Sequence, residues 1–209
     1  MISLDRARPW YTHADPVHDF SHIERVYRLA QHIGSLEGAD MEILLAAVLL
    51  HDTADAAPDG RADRPTHHLA SAEFARGVLV EDGWPEDRIE AVLHCIRAHR
   101  FRGTESPQSL EARILFDCDK LDVTGAIGVL RTIAYAALAG QPLSGPVSDS
   151  FRGTGQKEPG EPHTPYHEFL FKLSKVRFHT PAAQALAQGR RRYMAEFFDR
   201  LQDEVKGSY

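Results

Sequence analysis

Strand patterning is nearly absent from this sequence. No segment alternates convincingly between apolar and polar residues, which argues against folds built on a sheet. Cysteine is scarce: Cys95 and Cys118 are too few for a disulfide framework and stand in apolar helical surroundings, so a reducing compartment is the simplest reading. No apolar run approaches the roughly 20 residues needed to cross a bilayer. The longest, Ile43 to Leu50, is broken at once by His51 and Asp52. The opening Met1-Ile2-Ser3-Leu4-Asp5-Arg6 lacks the apolar centre of a signal peptide, and a cytoplasmic protein with no membrane partner is expected. Positive charge is also short, with 24 Lys and Arg against 30 Asp and Glu and a net charge of −6. That balance argues against a general nucleic-acid binder, which needs a basic field. The cluster Arg190-Arg191-Arg192 is local and reads as a solvated helix face.

What is present is helical periodicity and histidine. Apolar residues recur at i, i+3, i+4 and i+7 from Val17 to about Val205. The pattern predicts helices over about Asp15–Ile33, Asp40–His51, Thr66–Glu81 and Pro85–His99. A long helical stretch follows over Ser109–Ala139, with kinks expected near Gly125 and Gly128. Pro16 suits the first turn of the first helix and Gly34 its end. A loop rich in Asp, Gly and Pro is expected over Asp55–Pro65. A second, Gly/Pro/Ser-rich loop over Gly140–Pro165 is long enough to be a functional lid. Helices over Tyr166–Val176 and Pro181–Lys206 complete an all-α chain of 209 residues, read as a single domain interrupted by the second loop.

Twelve histidines prompt the question of where they fall, since imidazole is the commonest transition-metal ligand. His22 shares a stripe with Val26, Leu29 and Ile33, which puts an imidazole on an inward face. A hydrogen-bonded core histidine is the rival reading. The second predicted helix is apolar nearly all round and ends in His51-Asp52. A buried carboxylate there is costly without a partner, and a divalent cation supplies one, unless Asp52 merely caps the following turn. In Asp117-Cys118-Asp119-Lys120-Leu121-Asp122, residue 119 shares a face with Leu115, Cys118 and Asp122. Asp119 therefore also needs a cation, from a metal or from Arg or Lys. Asp117 lies about 200° away around the wheel and is expected to be solvated or hydrogen-bonded. Two imidazoles and two carboxylates suit Mn²⁺, with Mg²⁺, Fe²⁺, Co²⁺, Ni²⁺ or Zn²⁺ as further candidates for a single ion. Four protein ligands in an octahedral field leave two positions open, as a catalytic site requires.

In order, His22, His51-Asp52 and Asp119 resemble the H…HD…D signature of the HD-domain metal-dependent phosphohydrolases. His18-Asp19-Phe20-Ser21-His22, Leu50-His51-Asp52 and Leu110–Leu115 are similar to its bacterial YedJ/YpgQ-type branch. So are Asp117–Asp122 and Gly125-Ala126-Ile127-Gly128. The resemblance spans roughly Pro16 to Glu204. It implies an HD-type helical bundle, His22, His51, Asp52 and Asp119 as metal ligands, and hydrolysis of phosphate esters or anhydrides. A nucleotide-like small molecule is the implied partner. Conversion of a nucleoside triphosphate to monophosphate and pyrophosphate is one implied reaction. Action on nucleoside monophosphates, or non-catalytic nucleotide binding, are the alternatives.

Further site residues are expected around these four. His67, the better match of the His67-His68 pair to the family's His-x-x-x-Ser-Ala segment, is expected to face substrate phosphates or a second metal. His99 lies on the flank of its helix and is expected at the site as well, whereas His94 points away. Asp55, one turn beyond Asp52, is a candidate general base or acid, and Asp122 has a comparable claim. Arg25 and Lys120 are expected to offset negative charge on the substrate, with Arg131 behind them. His163, His167 and His179 are expected to be incidental.

Overall fold

The computed structural model describes residues 2–11, 19–56, 67–100 and 105–208. Ten α-helices and no strand occur among the described residues. No single helix is long and apolar enough to cross a membrane. The helices are α1 (Leu4–Ala7), α2 (Phe20–Glu37), α3 (Met41–Leu50), α4 (His67–Glu81) and α5 (Glu86–Ala98). They continue with α6 (Leu110–Leu121), α7 (Gly125–Leu138), α8 (Asp149–Thr154), α9 (Pro165–Phe171) and α10 (Pro181–Val205). The chain forms two compact units. One comprises Met1–Asp119 with Phe178–Ala183; the other comprises Lys120–Arg177 with Gln184–Tyr209.

The first unit is organised around α3. Residues 44–50 of this helix are all buried, and it packs against α2, α4 and α5. A Leu side chain fully withdrawn from water contributes roughly 1.5–3 kcal/mol; Leu44, Leu49 and Leu50 are each 0% exposed. The start of α3 is fixed by Asp40, whose carboxylate accepts from the Glu42 and Ile43 amides and from Arg88 on α5. The Asp40 amide in turn donates to Glu111 on α6, so three helices are tied at one helix start.

The first predicted helix runs further than the sequence indicates. Its described part continues through Gly34 to Glu37 and ends at Gly38, in the left-handed region at φ 78°. Gly34 is a contact residue instead of a terminator: a Cβ there would lie 2.6 Å from Leu44 Cδ2 and 2.7 Å from Met41 Sδ. Its missing side chain lets α2 and α3 approach. The expected start at Asp15 and most of the expected Asp55–Pro65 loop lie outside the described residues.

In the second unit, the core is Val129, Tyr166, Phe169, Leu173, Met194 and Phe198, with Phe198 stacked against both Tyr166 and Phe169. The stretch expected over Ser109–Ala139 is two helices, not one kinked helix. The Leu121 carbonyl accepts from the Thr124 amide, the Thr124 hydroxyl and Arg190 Nη1, and Gly125 takes up φ 69°. At Gly128 a Cβ would stand 2.5 Å from the Val123 carbonyl oxygen, so only glycine admits this tight re-entry into helix. Arg190 is thus a backbone clamp, a correction to its reading as part of a solvated face; Arg192, with a 79% exposed side chain, keeps that reading.

The long second loop is not featureless. It contains α8, and Glu161 gathers it. Oε1 accepts from the Ser148 amide and faces His167 Nε2 at 2.9 Å; Oε2 accepts from the Ser148 hydroxyl and the Glu158 amide. Because His167 Nδ1 accepts from the Thr164 amide, its proton sits on Nε2 and is donated to Glu161. Four donors hold the Glu161 carboxyl far below its ordinary range, at about 2, the Ser148 amide contributing most.

Candidate metal centre

Helices α2, α3, α4, α5 and α6 each deliver polar side chains to one buried locus of the first unit. His22 comes from the first turn of α2. His51 and His99 stand at the C-terminal caps of α3 and α5. That placement decides their chemistry. A helix end leaves carbonyls without intrahelical partners. His51 Nδ1 takes the Val48 carbonyl at 2.8 Å, and His99 Nδ1 takes the Ile96 carbonyl at 2.6 Å. With each Nδ1–H so committed, the neutral rings turn an Nε2 lone pair toward the locus. The hydroxyl of Tyr11 takes a further orphan carbonyl, that of Leu49, and steadies the same helix end.

Asp52 follows His51 directly. Its Oδ2 stands 3.4 Å from His51 Nε2 and 3.7 Å from His22 Nε2. Its Oδ1 stands 3.4 Å from His99 Nε2 and 3.7 Å from His67 Nε2. Asp119 Oδ1, from α6, is 3.5 Å from His22 Nε2. Burial alone would raise the Asp52 carboxyl; positive charge gathered at this locus outweighs burial and holds Asp52 well below the usual carboxylate range. Burial lowers the pKa of His99 against the pull of Asp52, which favours its neutral, lone-pair form.

Two observations test whether these residues fit a metal ion. His51 Nε2 and Asp52 Oδ1 are buried polar atoms without a hydrogen-bond partner, a costly state that a cation between them relieves. The separations of 3.4–3.7 Å exceed hydrogen bonds. Ligand bonds of about 2.1 Å place neighbouring donors roughly 3.0–3.4 Å apart in octahedral or tetrahedral arrangements. The observed separations stand at or a few tenths of an ångström above that range, so these donors need only a small inward shift to share a divalent ion, and their His, His, Asp composition suits one.

The other expected site residues fall as follows. His67 faces the locus while His68 is buried behind it, its pKa lowered chiefly by burial. Arg25 donates to the Ser21 hydroxyl at 2.8 Å, on the turn that carries His22. Asp55 lies in the 3-10 turn Thr53–Ala56; its side chain is outside what is described. Lys120 and Asp122 belong to the second unit, where Asp122 is 1% exposed and accepts from Arg131 Nη1 at 3.2 Å. His94 is engaged elsewhere, with Glu105 and the Gln108 amide. Asp117 is 0% exposed and accepts from the His179 and Thr180 amides and the Thr180 hydroxyl, so it is hydrogen-bonded and not solvated. Ser71 is a residue whose part the sequence did not signal. Its buried hydroxyl accepts from the Ala54 amide and ties the turn after Asp52 to the helix that starts at His67. The spacing of Ser71 four residues after His67 was the available cue.

Residues 19–124 match the model of the HD domain family. This chain belongs to that family. YpgQ of Bacillus subtilis is 30% identical over 197 residues, covering 91% of this chain and 85% of that protein. The crystal structure of YpgQ in complex with ADP superposes with a TM-score of 0.75 at 28% identity, covering 99% of this chain and 100% of the other. An HD-superfamily hydrolase from Bacillus thuringiensis gives a TM-score of 0.70 at 27% identity, covering 97% and 96% of the two chains. A predicted HD superfamily hydrolase from an uncultured Thermotogales bacterium gives 0.65 at 27% identity, covering 97% and 90%. This HD protein is accordingly a metal-dependent phosphohydrolase of all-α fold, as its sequence motifs imply, and its YpgQ-type kinship holds along nearly the whole chain.

Proposed function

We propose that this HD protein hydrolyses a nucleotide-like phosphate ester or anhydride, with a nucleoside triphosphate giving monophosphate and pyrophosphate as the leading reaction. The observation that carries the reading is Asp52: a half-buried carboxylate whose Oδ1 is fully buried without a hydrogen-bond partner, ringed by imidazole nitrogens that a cation reconciles. The complex of the related YpgQ with ADP supports a nucleotide as the substrate class.

His22, His51, Asp52 and Asp119 are the residues that would hold the ion, and Mn²⁺ is the proposed species on the mixed nitrogen and oxygen donor set. When bound, such an ion supplies Lewis acidity toward a phosphoryl oxygen and a water acidic enough to react near neutral pH. The chain's own residues do the rest. His51 and His99 are oriented by helix-end carbonyls, so the donor set is rigid before substrate arrives. Arg25, held by Ser21, is proposed to pair with phosphate oxygens. Asp55, Asp122 and Lys120 are the proposed groups for proton transfer and charge neutralisation, roles that phosphoryl transfer assigns mainly to positioning and electrostatics.

Incubating the purified protein and Mn²⁺ with nucleoside tri-, di- and monophosphates, and separating phosphate from pyrophosphate, tests the reaction. Pyrophosphate from triphosphates is expected. Phosphate from monophosphates would make it a phosphomonoesterase instead, and nucleotides left intact with every metal would make it a binding protein. His51→Ala is expected to lose roughly 100-fold or more of the activity, the scale of one lost charge-stabilising group. A fully active variant would remove the site from the reaction.

A further inference from the structure

The last turn of α3 ends in carbonyls that no amide of the helix reaches. Side chains take those of Val48, Leu49 and Leu50 in succession. His51 Nδ1 takes that of Val48 and the Thr53 hydroxyl that of Leu50, both from nearby in the chain. The carbonyl between them, that of Leu49, is served from 38 positions away by the Tyr11 hydroxyl, in a buried hydrogen bond of 2.9 Å. The same tyrosine touches a second ligand-bearing element. Its ring packs on that of Phe20, the first residue of α2, with centroids 5.4 Å apart. Arg8 flanks the pair, its guanidinium 4.5 Å from the centre of the Phe20 ring and its Nη2 on Glu24 at 2.6 Å. The 3-10 turn Arg8–Tyr11 also packs against the turn Thr53–Ala56 that follows Asp52.

One buried side chain thus braces the end of α3, which carries His51 and Asp52, against the start of α2, which carries His22. Residues 2–11 precede the stretch that matches the HD family model, so the family's signature is silent about them. We propose that Tyr11 is a positioning residue of the metal centre, supplied by this N-terminal segment. Donors bind an ion tightly where they are held near their bound geometry before it arrives. Loss of the Tyr11 hydroxyl leaves the carbonyl of Leu49 a buried acceptor without that donor, a state the last turn of α3 relieves by opening. The His51 ring is pinned to this turn through Val48, so the opening swings Nε2 out of the donor set. The inference rests on the reading that His22, His51 and Asp52 hold an ion.

Titrating the metal-free full-length protein with MnCl₂, and following free Mn²⁺ by electron paramagnetic resonance, tests it in the wild type, Tyr11→Phe and Arg6→Gln. Tyr11→Phe keeps the ring on Phe20 and loses only the hydroxyl. Its Kd for Mn²⁺ is expected to rise about 10-fold, the lower end of the roughly 10–100-fold cost of losing a group that orients a metal ligand. Circular dichroism should show the fold kept. Arg6→Gln cuts the exposed tie of the same segment to Asp82 and should bind Mn²⁺ as the wild type does. A hydroxyl that serves the fold alone would lower the melting temperature of the metal-free protein and leave the Kd unmoved. An unchanged Kd in Tyr11→Phe, equal weakening by Arg6→Gln, or a Tyr11→Phe chain that does not fold overturns the positioning role and leaves the metal-dependent phosphohydrolase in place. A wild type that binds no Mn²⁺ overturns both.

Discussion

Asp117 and Asp119 are two residues apart on one helix and do unlike things. The helical wheel sets them on different faces, and they meet different partners: Asp119 Oδ1 stands 3.5 Å from His22 Nε2, whereas Asp117 accepts hydrogen bonds from the 179–180 backbone. What the wheel cannot supply is the partner of Asp117. Its donors, the amides of His179 and Thr180, lie more than 60 positions along the chain, and no local pattern announces them. Burial raises the Asp117 pKa in spite of those donors. Asp117→Ala is expected to strand the buried Thr180 amide and hydroxyl and the part-buried His179 amide, costing about 2–4 kcal/mol at roughly 1–3 kcal/mol per unsatisfied group with partial rehydration. Chemical denaturation would measure it, and a loss within 0.5 kcal/mol, the range of an indifferent surface change, would contradict that role.

At the scale of elements, helices with a continuous apolar face were legible: the reading of α3 to α5 misses the structure by a residue or so at each end. Misreadings come from glycine. Gly34 looks like a stop and is a helix–helix contact, while Gly125 looks like a kink and begins a new helix. Composition sees only the absence of a core in the Gly140–Pro165 stretch, and so misses a loop ordered by hydrogen bonds to one carboxylate. The Glu161 carboxyl falls from its ordinary 4.5 to about 2 in the folded protein. Its contribution to stability is therefore present above pH 4.5 and fades as the pH drops toward 2. Glu161→Gln should melt at a lower temperature than wild type at neutral pH, and the two melting curves should converge across that acid window. Melting temperatures that stay equally far apart from pH 7 to 2 would exclude the carboxylate as the cause.

For the whole molecule, family membership was the most legible property because the signature residues stand at the ends and first turns of helices, where sequence spacing constrains geometry most. The support for those residues was not legible: helix-end carbonyls, the Tyr11 hydroxyl and Ser71 belong to tertiary structure. Metal binding should also be visible in global stability, since a ligand held by the native state alone adds about 2.7 kcal/mol at a hundredfold excess over its Kd. For a chain of this size that corresponds to roughly 5–10 °C in Tm. Chelation by EDTA should lower Tm by that order and added Mn²⁺ should restore it. A Tm indifferent to both would mean that no ion contributes to the fold.

The return of Phe178–Ala183 to the first unit has a consequence for biosynthesis. A ribosome releases the chain from its beginning, and domains ordinarily fold as they emerge. Here the helix that bears Asp119 waits for amides translated some sixty codons later, and Glu37 waits longer still for the amide of Ala182. The nascent protein must carry its metal-binding unit unfinished until that later segment has been made, and a chain lacking residues 178–183 would have an Asp117 without those donors.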